Sequence, residues 1–424
     1  MEFAIEQSPH IRRKDTLAGM MTDVLIALSP VVIFALIVYQ LYAVRNLIVS
    51  EVVWVLGEFL YVIGKSLVLG RKDGLPFGQK MQKAIQSYKL TNFLVPTVSA
   101  VIFALITPAT YWAPNSYTAL NATNAFADGY AYLVLIVGSL FGLVVGKLIF
   151  GGTGKNLLNP AAAAFVFCKF VFGKRYAVAN FSTDAFSWTL NTGSTFLKGS
   201  YSASSSYSSY SLWNLIIGNT PGLMGETCKI AILLGLVYLL VRRVADWRVV
   251  ASFFGTFIVF SLFAGIIIHV TYPDVSAWQF MLYQLVGGGL LFGGVFMITD
   301  PVTMPLTRPD RVLYGMLIAI CVLFFRLFGR GAYTHEGLAF SILIVNAVVP
   351  FMDYIQKWTT NHYDLKHIIV LVAVPVVFLL TMVLTLHFQL VASAASSSDS
   401  GSLSTSASKS WEGIAELLAS FVNL

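Results

Sequence analysis

Residues 131–161 read AYLVLIVGSLFGLVVGKLIFGGTGKNLLNPA. The segment up to Phe150 is mostly apolar and has about the length that an α-helix needs to cross a bilayer. A glycine-rich turn follows and leads through Asn159 and Pro160 into a second apolar segment. This stretch predicts membrane-spanning helices that are separated or interrupted by short polar breaks.

The composition of the whole chain agrees with this prediction. Of its 424 residues, 57% are hydrophobic and only 11% are charged, whereas about 25% are charged in a typical soluble domain. The alternation of apolar and polar residues that a transmembrane barrel requires is absent. We therefore expect an all-α polytopic membrane protein.

Hydrophobic segments predict ten to eleven transmembrane helices. They lie near residues 24–44, 50–69, 92–108, 131–150, 156–173, 213–241, 248–270, 280–298, 311–328, 337–355 and 367–389. The fifth is short and the sixth is long, so one of them is expected to be broken or tilted. The predicted divisions are a cytoplasmic segment 1–23, a transmembrane domain 24–355 with an outer loop 174–212, an extra helix 356–390 and a serine-rich tail 391–424.

The net charge of +7 is explained by the positive-inside rule rather than by binding to nucleic acid. With the N-terminus on the inner side of the membrane, most basic loop residues fall on that side. Arg45, Lys174, Arg175, Lys198 and Arg330 are the main outer ones. The outer loop and the C-terminus are then extracytoplasmic. The scattered cysteines and histidines predict no metal site.

Two spans are rich in glycine. Gly138, Gly142 and Gly146 are spaced by four residues, and five further glycines lie between 287 and 294. Such spacing allows close helix packing, and the alternative is room for a flat cofactor. Each span is followed by a polar loop, which suggests an internal repeat of the transporter type.

Three polar breaks contain candidate binding residues. The motif at 150–156 is not a nucleotide-binding loop, since Ile149 and Asn156 replace its first glycine and its Ser or Thr. A turn containing Asn156 and Asn159 either binds an anion or polar ring edge or only joins two helices. Glu226, in the second break, and Asp300 with Thr303, in the third, either bind a ligand or cap a helix.

A fourth candidate lies in the polar outer loop, where residues 192–195 read TGST. By residue type alone, Thr192, Gly193, Ser194 and Thr195 form an ordinary turn in a Ser/Thr-rich segment.

Together these motifs resemble the flavin-bearing membrane subunits RnfD, of the Rnf complex, and NqrB, of the sodium-pumping NADH:quinone reductase. The resemblance covers about residues 8–353. Its carriers are SPH at 8–10, TDVLIALSP at 22–30, GGTGKNLLNPA at 151–161, PGLMGETCKIAILLG at 221–235, TDPVTMPLTRPDRVLYG at 299–315, and residues 336–353.

The resemblance implies two flavins and a fold of two inverted five-helix halves, with the eleventh helix as an addition. FMN would be joined by a phosphoester to Thr195, the last residue of a motif like D-x-x-[ST]-G-A-T. Ser194 replaces the usual Ala, and Thr189 stands at the position of the Asp. Non-covalent riboflavin would contact the polar breaks, with Asn156, Asn159, Glu226, Asp300 and Thr303 as candidates.

The resemblance also implies a function. The chain would be an electron-transfer subunit of an ion-translocating oxidoreductase complex, a translocase that is not catalytic alone. Its partners would be an outer-side FMN subunit, iron–sulfur membrane subunits, a flavin transferase, and Na⁺ or H⁺. A short N-terminal segment favours the Rnf type, which connects ferredoxin and NAD, over the NqrB-like alternative. A secondary transporter or channel without redox activity is the alternative from another class.

Overall fold

The chain folds into helices that are broken at several points and surround a buried apolar core. The computed structural model describes residues 16–69, 77–86, 88–108, 126, 129–152, 154–172, 181–183, 188–190, 212–218, 223–271, 276–328, 337–356 and 373–385. The helices are α1 (Leu17–Leu69), α2 (Phe77–Gln86), α3 (Leu90–Ile106), α4 (Gly129–Leu143) with a π-helical turn (Val144–Leu148), α5 (Pro160–Phe172), α6 (Leu212–Ile217), α7 (Lys229–Val241), α8 (Trp247–Thr271), α9 (Ala277–Val286), α10 (Leu290–Phe296), α11 (Arg308–Phe328), α12 (Leu338–Gln356) and α13 (Ala373–Thr385). Strands β1 (Phe181–Thr183) and β2 (Trp188–Leu190) pair antiparallel in the predicted outer loop.

The first two predicted spans form the two segments of α1, which meet at a non-helical residue, Gln40 (φ 48°, ψ −127°). The predicted boundary near residues 45–49 is therefore wrong, and Arg45 is buried rather than exposed in an outer loop. Arg45 Nη2 donates to Asn46 Oδ1 at 3.0 Å, and Asn46 Nδ2 donates to the carbonyl of Pro108 at 3.0 Å. These internal partners allow a charged residue to lie within the helix packing.

Two other predicted spans are broken. The predicted span 213–241 consists of α6 and α7, which confirms its interpretation as interrupted. The span 280–298, predicted as continuous, consists of α9 and α10, bent by 52°. Gly287, Gly288 and Gly289 form the bend, and Gly288 has a φ of +64° that other residues rarely adopt.

Close helix packing explains the regularly spaced glycines of α4 and its π-helical turn. A Cβ on Gly142 would lie 2.7 Å from the carbonyl oxygen of Pro160 and 2.9 Å from Trp54, and one on Gly146 would lie 2.8 Å from Pro160 Cα. α5 is therefore held against α4 at a distance that no larger side chain permits. Elsewhere, α1 packs on α3, α4 and α7, and α8 packs on α9 and α11.

The structure confirms an all-α, multi-pass membrane protein. Three helical segments among the described residues, Leu17–Val68, Gly129–Leu148 and Trp247–His269, are long and apolar enough to cross a bilayer, or five if each bent pair counts as one span. Large apolar side chains remain exposed on the helix surfaces, for example Val241 and Leu60, as expected of surfaces in contact with lipid. The inverted relation of the two halves stays a prediction.

We expect Gly142→Ala to lower the free energy of unfolding by about 1–3 kcal/mol, because the added methyl group overpacks the contact between α4 and α5. Gly255→Ala in α8 is the matched control, since a Cβ there meets nothing within 4 Å. The thermal unfolding midpoint of the detergent-solubilised protein measures the difference. Equal midpoints for the two variants would contradict this account of the glycines.

Candidate functional site

Asn159 begins α5 and ties it to the break after α10. Its Oδ1 accepts a hydrogen bond from the N–H of Ala162 at 3.2 Å, so Asn159 is the N-cap of the helix and Pro160 is its first residue. Its Nδ2 donates to the carbonyl of Met297 at 3.1 Å. One buried side chain therefore stabilises two interrupted helices at the same point.

The glycine-rich turn ahead of Asn159 is a tight connection. Gly151 and Gly152 have φ values of +109° and +92°, which favour glycine. The N–H of Gly152 bonds to the carbonyl of Lys147 at 3.3 Å, and that of Gly151 bonds to the carbonyl of Leu148 at 3.0 Å. The turn is thus hydrogen-bonded to the π-helical segment. Asn156 lies between this turn and the first residue of α5, Pro160.

Asp300 organises the break that follows α10. Its Oδ1 accepts a hydrogen bond from the N–H of Val302 at 3.1 Å, and its Oδ2 accepts one from the hydroxyl of Thr303 at 3.3 Å. The first bond is that of an Asx-turn, in which an Asp side chain accepts from the backbone N–H two residues further on. The second bond, from Thr303, helps to hold the Asp300 carboxylate in place.

These breaks surround one pocket, which we call the Asn156 pocket. Its empty volume, which includes space open to the surroundings, is about 570 Å³. α1 and α3 supply apolar lining residues that include Val24 and Val98, and α10 supplies Phe296. The polar lining residues are Ser99, Lys147, Asn156, Asn159, Thr299 and Asp300. The structure thus brings together three of the predicted residues, Asn156, Asn159 and Asp300.

Asn156 uses little of its hydrogen-bonding capacity. Its side chain is buried, and its Nδ2 makes one long contact of 3.4 Å to the carbonyl of Leu158. Its Oδ1 has no hydrogen-bond partner among the described residues. Because a buried acceptor without a donor is costly, this atom suits a ligand with an N–H or O–H group. A flavin ring carries an N–H group at its polar end and is apolar at its dimethylbenzene end, so an unpartnered acceptor beside apolar walls matches the chemistry of a flavin.

Glu226 lines a different pocket, the Glu226 pocket, with an empty volume of about 440 Å³. A Cβ on Gly289 would lie only 2.3 Å from Glu226 Oε1. The absence of a side chain at Gly289 therefore allows the carboxylate to approach the bend between α9 and α10. The aromatic lining residues are Phe165, Phe292 and Phe340. Glu226 is therefore separated from the other predicted residues.

Sequence reasoning missed two buried cations that stabilise the helix breaks. Lys229 Nζ donates to the carbonyls of Glu226 and, at 3.2 Å, Gly288. Arg326 donates to the carbonyls of Gln284 and, at 3.1 Å, Gly287. Both cations lie at the carbonyl end of α9, where unpaired C=O groups and the helix dipole favour positive charge. The available signal was a cation within or beside an apolar span.

A buried ion pair was also missed. Lys147 Nζ lies 3.2 Å from Glu58 Oε2, and their side chains are 0% and 2% exposed. Lys147 lines the Asn156 pocket, whereas Glu58 lies on α1 beside it. Both are charged residues in otherwise apolar spans, which marks functional candidates in a membrane protein.

The tetrad Thr192, Gly193, Ser194 and Thr195 lies outside the described residues. The described hairpin ends at Leu190, just before it, and Thr189 in β2 pairs with Ser182 in β1. The attachment of a flavin to Thr195 stays a prediction.

Broken membrane helices with two pockets beside the interruptions define a class of polytopic membrane protein in which the breaks are candidate binding positions. The chain belongs to the NQR2, RnfD, RnfE family, whose sequence profile matches residues 4–73 and 79–361. The predicted membership of the RnfD/NqrB family is thereby confirmed.

Curated relatives are named as the B subunit of a Na(+)-translocating NADH-quinone reductase. That of Chromohalobacter salexigens is 35% identical over 259 residues, which cover 61% of this chain and 57% of the relative. Those of Pseudoalteromonas atlantica and Yersinia pestis are 34% and 33% identical, each covering 61% of this chain and 58% of the relative. The chain therefore spans less than two thirds of the length of these relatives.

The two asparagines are expected to respond differently to truncation. Asn159→Ala removes a helix cap and a bond between two breaks, so we expect a loss of about 1–2 kcal/mol of stability. Asn156→Ala removes an acceptor that has no donor, so stability should change by less than about 0.5 kcal/mol. Thermal unfolding of the two purified variants measures both changes. A larger loss for Asn156→Ala would show that the roles are reversed.

Proposed function

We propose that this chain is an electron-transfer subunit of a Na⁺- or H⁺-translocating oxidoreductase complex of the Rnf type, which passes electrons between ferredoxin and NAD. The observation that carries the proposal is the Asn156 pocket, in a chain whose family includes RnfD. The pocket lies between helix breaks, is flanked by apolar walls and contains a buried acceptor without a donor. These features suit a non-covalent flavin, for which riboflavin is the candidate.

In this proposal the pocket residues have different tasks. Asn156 Oδ1 binds an N–H group of the ring. Asn159 and Asp300 use their side chains to hold the two breaks in place, and Thr303 supports Asp300. A bound flavin supplies the electron-accepting chemistry, and the protein supplies its position and electrostatic environment.

The second proposed flavin is FMN, joined to Thr195 by a phosphoester, with Thr192, Gly193 and Ser194 as the recognition motif. The Glu226 pocket is a candidate for receiving its ring, because aromatic residues and glycines line it. A flavin transferase would attach the FMN, on the extracytoplasmic side of a bacterial or archaeal cytoplasmic membrane. The other partners would be an outer-side FMN subunit and iron–sulfur membrane subunits.

A second candidate function is that of the NqrB-like component in a Na⁺-translocating NADH:quinone reductase. The names of the curated relatives favour it. Assaying the complex that co-purifies with this chain distinguishes the two. The Rnf type requires NAD reduction with reduced ferredoxin, and the alternative requires quinone reduction with NADH. A complex that reduces quinone with NADH and does not react with ferredoxin would overturn the first assignment.

The transporter alternative shares the broken-helix architecture but needs no redox cofactor. Flavin content separates it from the proposal. Protein purified after co-expression with its flavin transferase should release a non-covalent flavin on denaturation. Protein that contains no flavin of either kind would favour a transporter.

We expect Thr195→Ala to abolish covalent flavin, since the phosphoester needs the threonine oxygen. In-gel fluorescence after denaturing electrophoresis measures this loss. Non-covalent flavin should remain in the variant, because the Asn156 pocket is formed by other residues.

Thr192→Ser is the matched control, because it keeps a hydroxyl at that position of the motif and should retain the fluorescent band. A band of unchanged intensity in Thr195→Ala would refute the assignment of the attachment site.

We further expect Asn156→Ala to weaken the affinity for the non-covalent flavin about tenfold, which corresponds to about 1.4 kcal/mol of binding. Titration of the flavin-depleted protein with riboflavin measures the change.

A further inference from the structure

Lys147 is placed where it can act electrostatically on whatever occupies the Asn156 pocket. It is fully buried, lines the pocket, and pairs with Glu58 Oε2 at 3.2 Å. Asp300, which also lines the pocket, is close enough to Lys147 to interact with it electrostatically. Lys147 therefore has two anionic neighbours: Glu58, which does not line the pocket, and Asp300, which does.

Stability alone does not account for this pair. Removing two charges from water is costly, and well-packed apolar residues in place of a buried ion pair are often as stabilising or more so. Charged residues inside membrane spans accordingly mark functional positions. A role in the pocket explains why a lysine occupies this position.

The local backbone determines the position of this lysine. Lys147 belongs to the π-helical turn, and such turns are frequent at functional sites. Its carbonyl accepts the N–H of Gly152, and Gly146 beside it packs directly against Pro160. These contacts fix the backbone of Lys147, and the ion pair with Glu58 holds its ammonium group.

We propose that Lys147 raises the reduction potential of the flavin in the Asn156 pocket, and that Glu58 keeps Lys147 charged. This inference rests on the proposed function. Two-electron reduction with uptake of one proton leaves one negative charge on a flavin ring. A fixed cation stabilises this reduced form more than the neutral oxidised form, whereas Glu58, which does not line the pocket, opposes the effect more weakly. Asp300, which does line the pocket, also opposes it, but it is unchanged in every variant of the test below, so its contribution is the same in all of them. Lys147 forms and breaks no covalent bond.

The test uses the full chain with Thr195→Ala as parent, so that the non-covalent flavin is the one observed. Dithionite supplies the electrons, with redox mediators, and absorbance at set potentials gives the midpoint. In the Lys147→Met/Glu58→Gln variant both charges are removed together, so neither remains buried without its partner. We expect its equilibrium constant for reduction to fall at least tenfold, which corresponds to about 30 mV for two electrons.

Two further variants make the test specific. Lys147→Arg keeps a positive charge that is not lost at neutral pH, and its equilibrium constant should stay within threefold of that of the parent. Lys65→Met removes an exposed lysine of α1 that lines neither pocket, and it should leave the constant unchanged.

The possible outcomes are distinct. A double variant with normal flavin content and an unchanged midpoint overturns the role of Lys147 and leaves the proposed function standing. A double variant that folds but holds no flavin also overturns it, because Lys147 would then be needed for binding rather than tuning. A parent without non-covalent flavin overturns both the role of Lys147 and the proposed riboflavin site.

Discussion

Hydrogen bonding of the backbone inside a membrane is the constraint on which this structure depends. Unbroken helices satisfy all their peptide groups, whereas each interruption leaves N–H and C=O groups that lipid cannot satisfy. This chain interrupts its helices repeatedly and pairs the resulting groups with buried side chains. Asn159 bonds to both α5 and the carbonyl of Met297, Asp300 closes the turn after α10, and Lys229 and Arg326 bind carbonyls near the α9–α10 bend.

Glycines complete this arrangement, because the interrupted helices must lie close to their neighbours. Gly142 and Gly146 allow Pro160 and the start of α5 to approach α4, and Gly289 makes room for Glu226. These glycines therefore allow close approach of a neighbouring helix in one place and of a buried carboxylate in the other. The two pockets occur where polar groups at the breaks meet aromatic and aliphatic walls.

This architecture relates stability to function in a specific way. Side chains that cap helices also shape the Asn156 pocket, while Asn156 itself remains available for a ligand. Lys147 and Glu58 add charge to the edge of the same pocket. The curated relatives are named as the B subunit of a Na(+)-translocating NADH-quinone reductase, and in the function proposed for this chain these residues hold a flavin and set its potential.

Much of this protein follows from local sequence. The low charge and long apolar segments determined its all-α, membrane-spanning class, and the motifs at 151–161 and 299–315 located the breaks and identified the family. The start of α5 at Pro160 was not predicted, because the predicted span begins near residue 156, although an asparagine N-cap followed by proline is a local signal. The helicity of residues 45–49 was not predicted, because the burial of Arg45 depends on Asn46 and on Pro108, which lies more than sixty residues away.

Only the tertiary structure decided which polar residues share a pocket. Asn156, Asn159 and Asp300 come together because α5 and the break after α10 pack against each other, whereas Glu226 lies at another bend. The pairing of Lys147 with Glu58 likewise depends on the contact between α1 and the turn after α4. Sequence determines which groups each segment must satisfy locally, but the partner of a buried charge is set by the packing of distant helices.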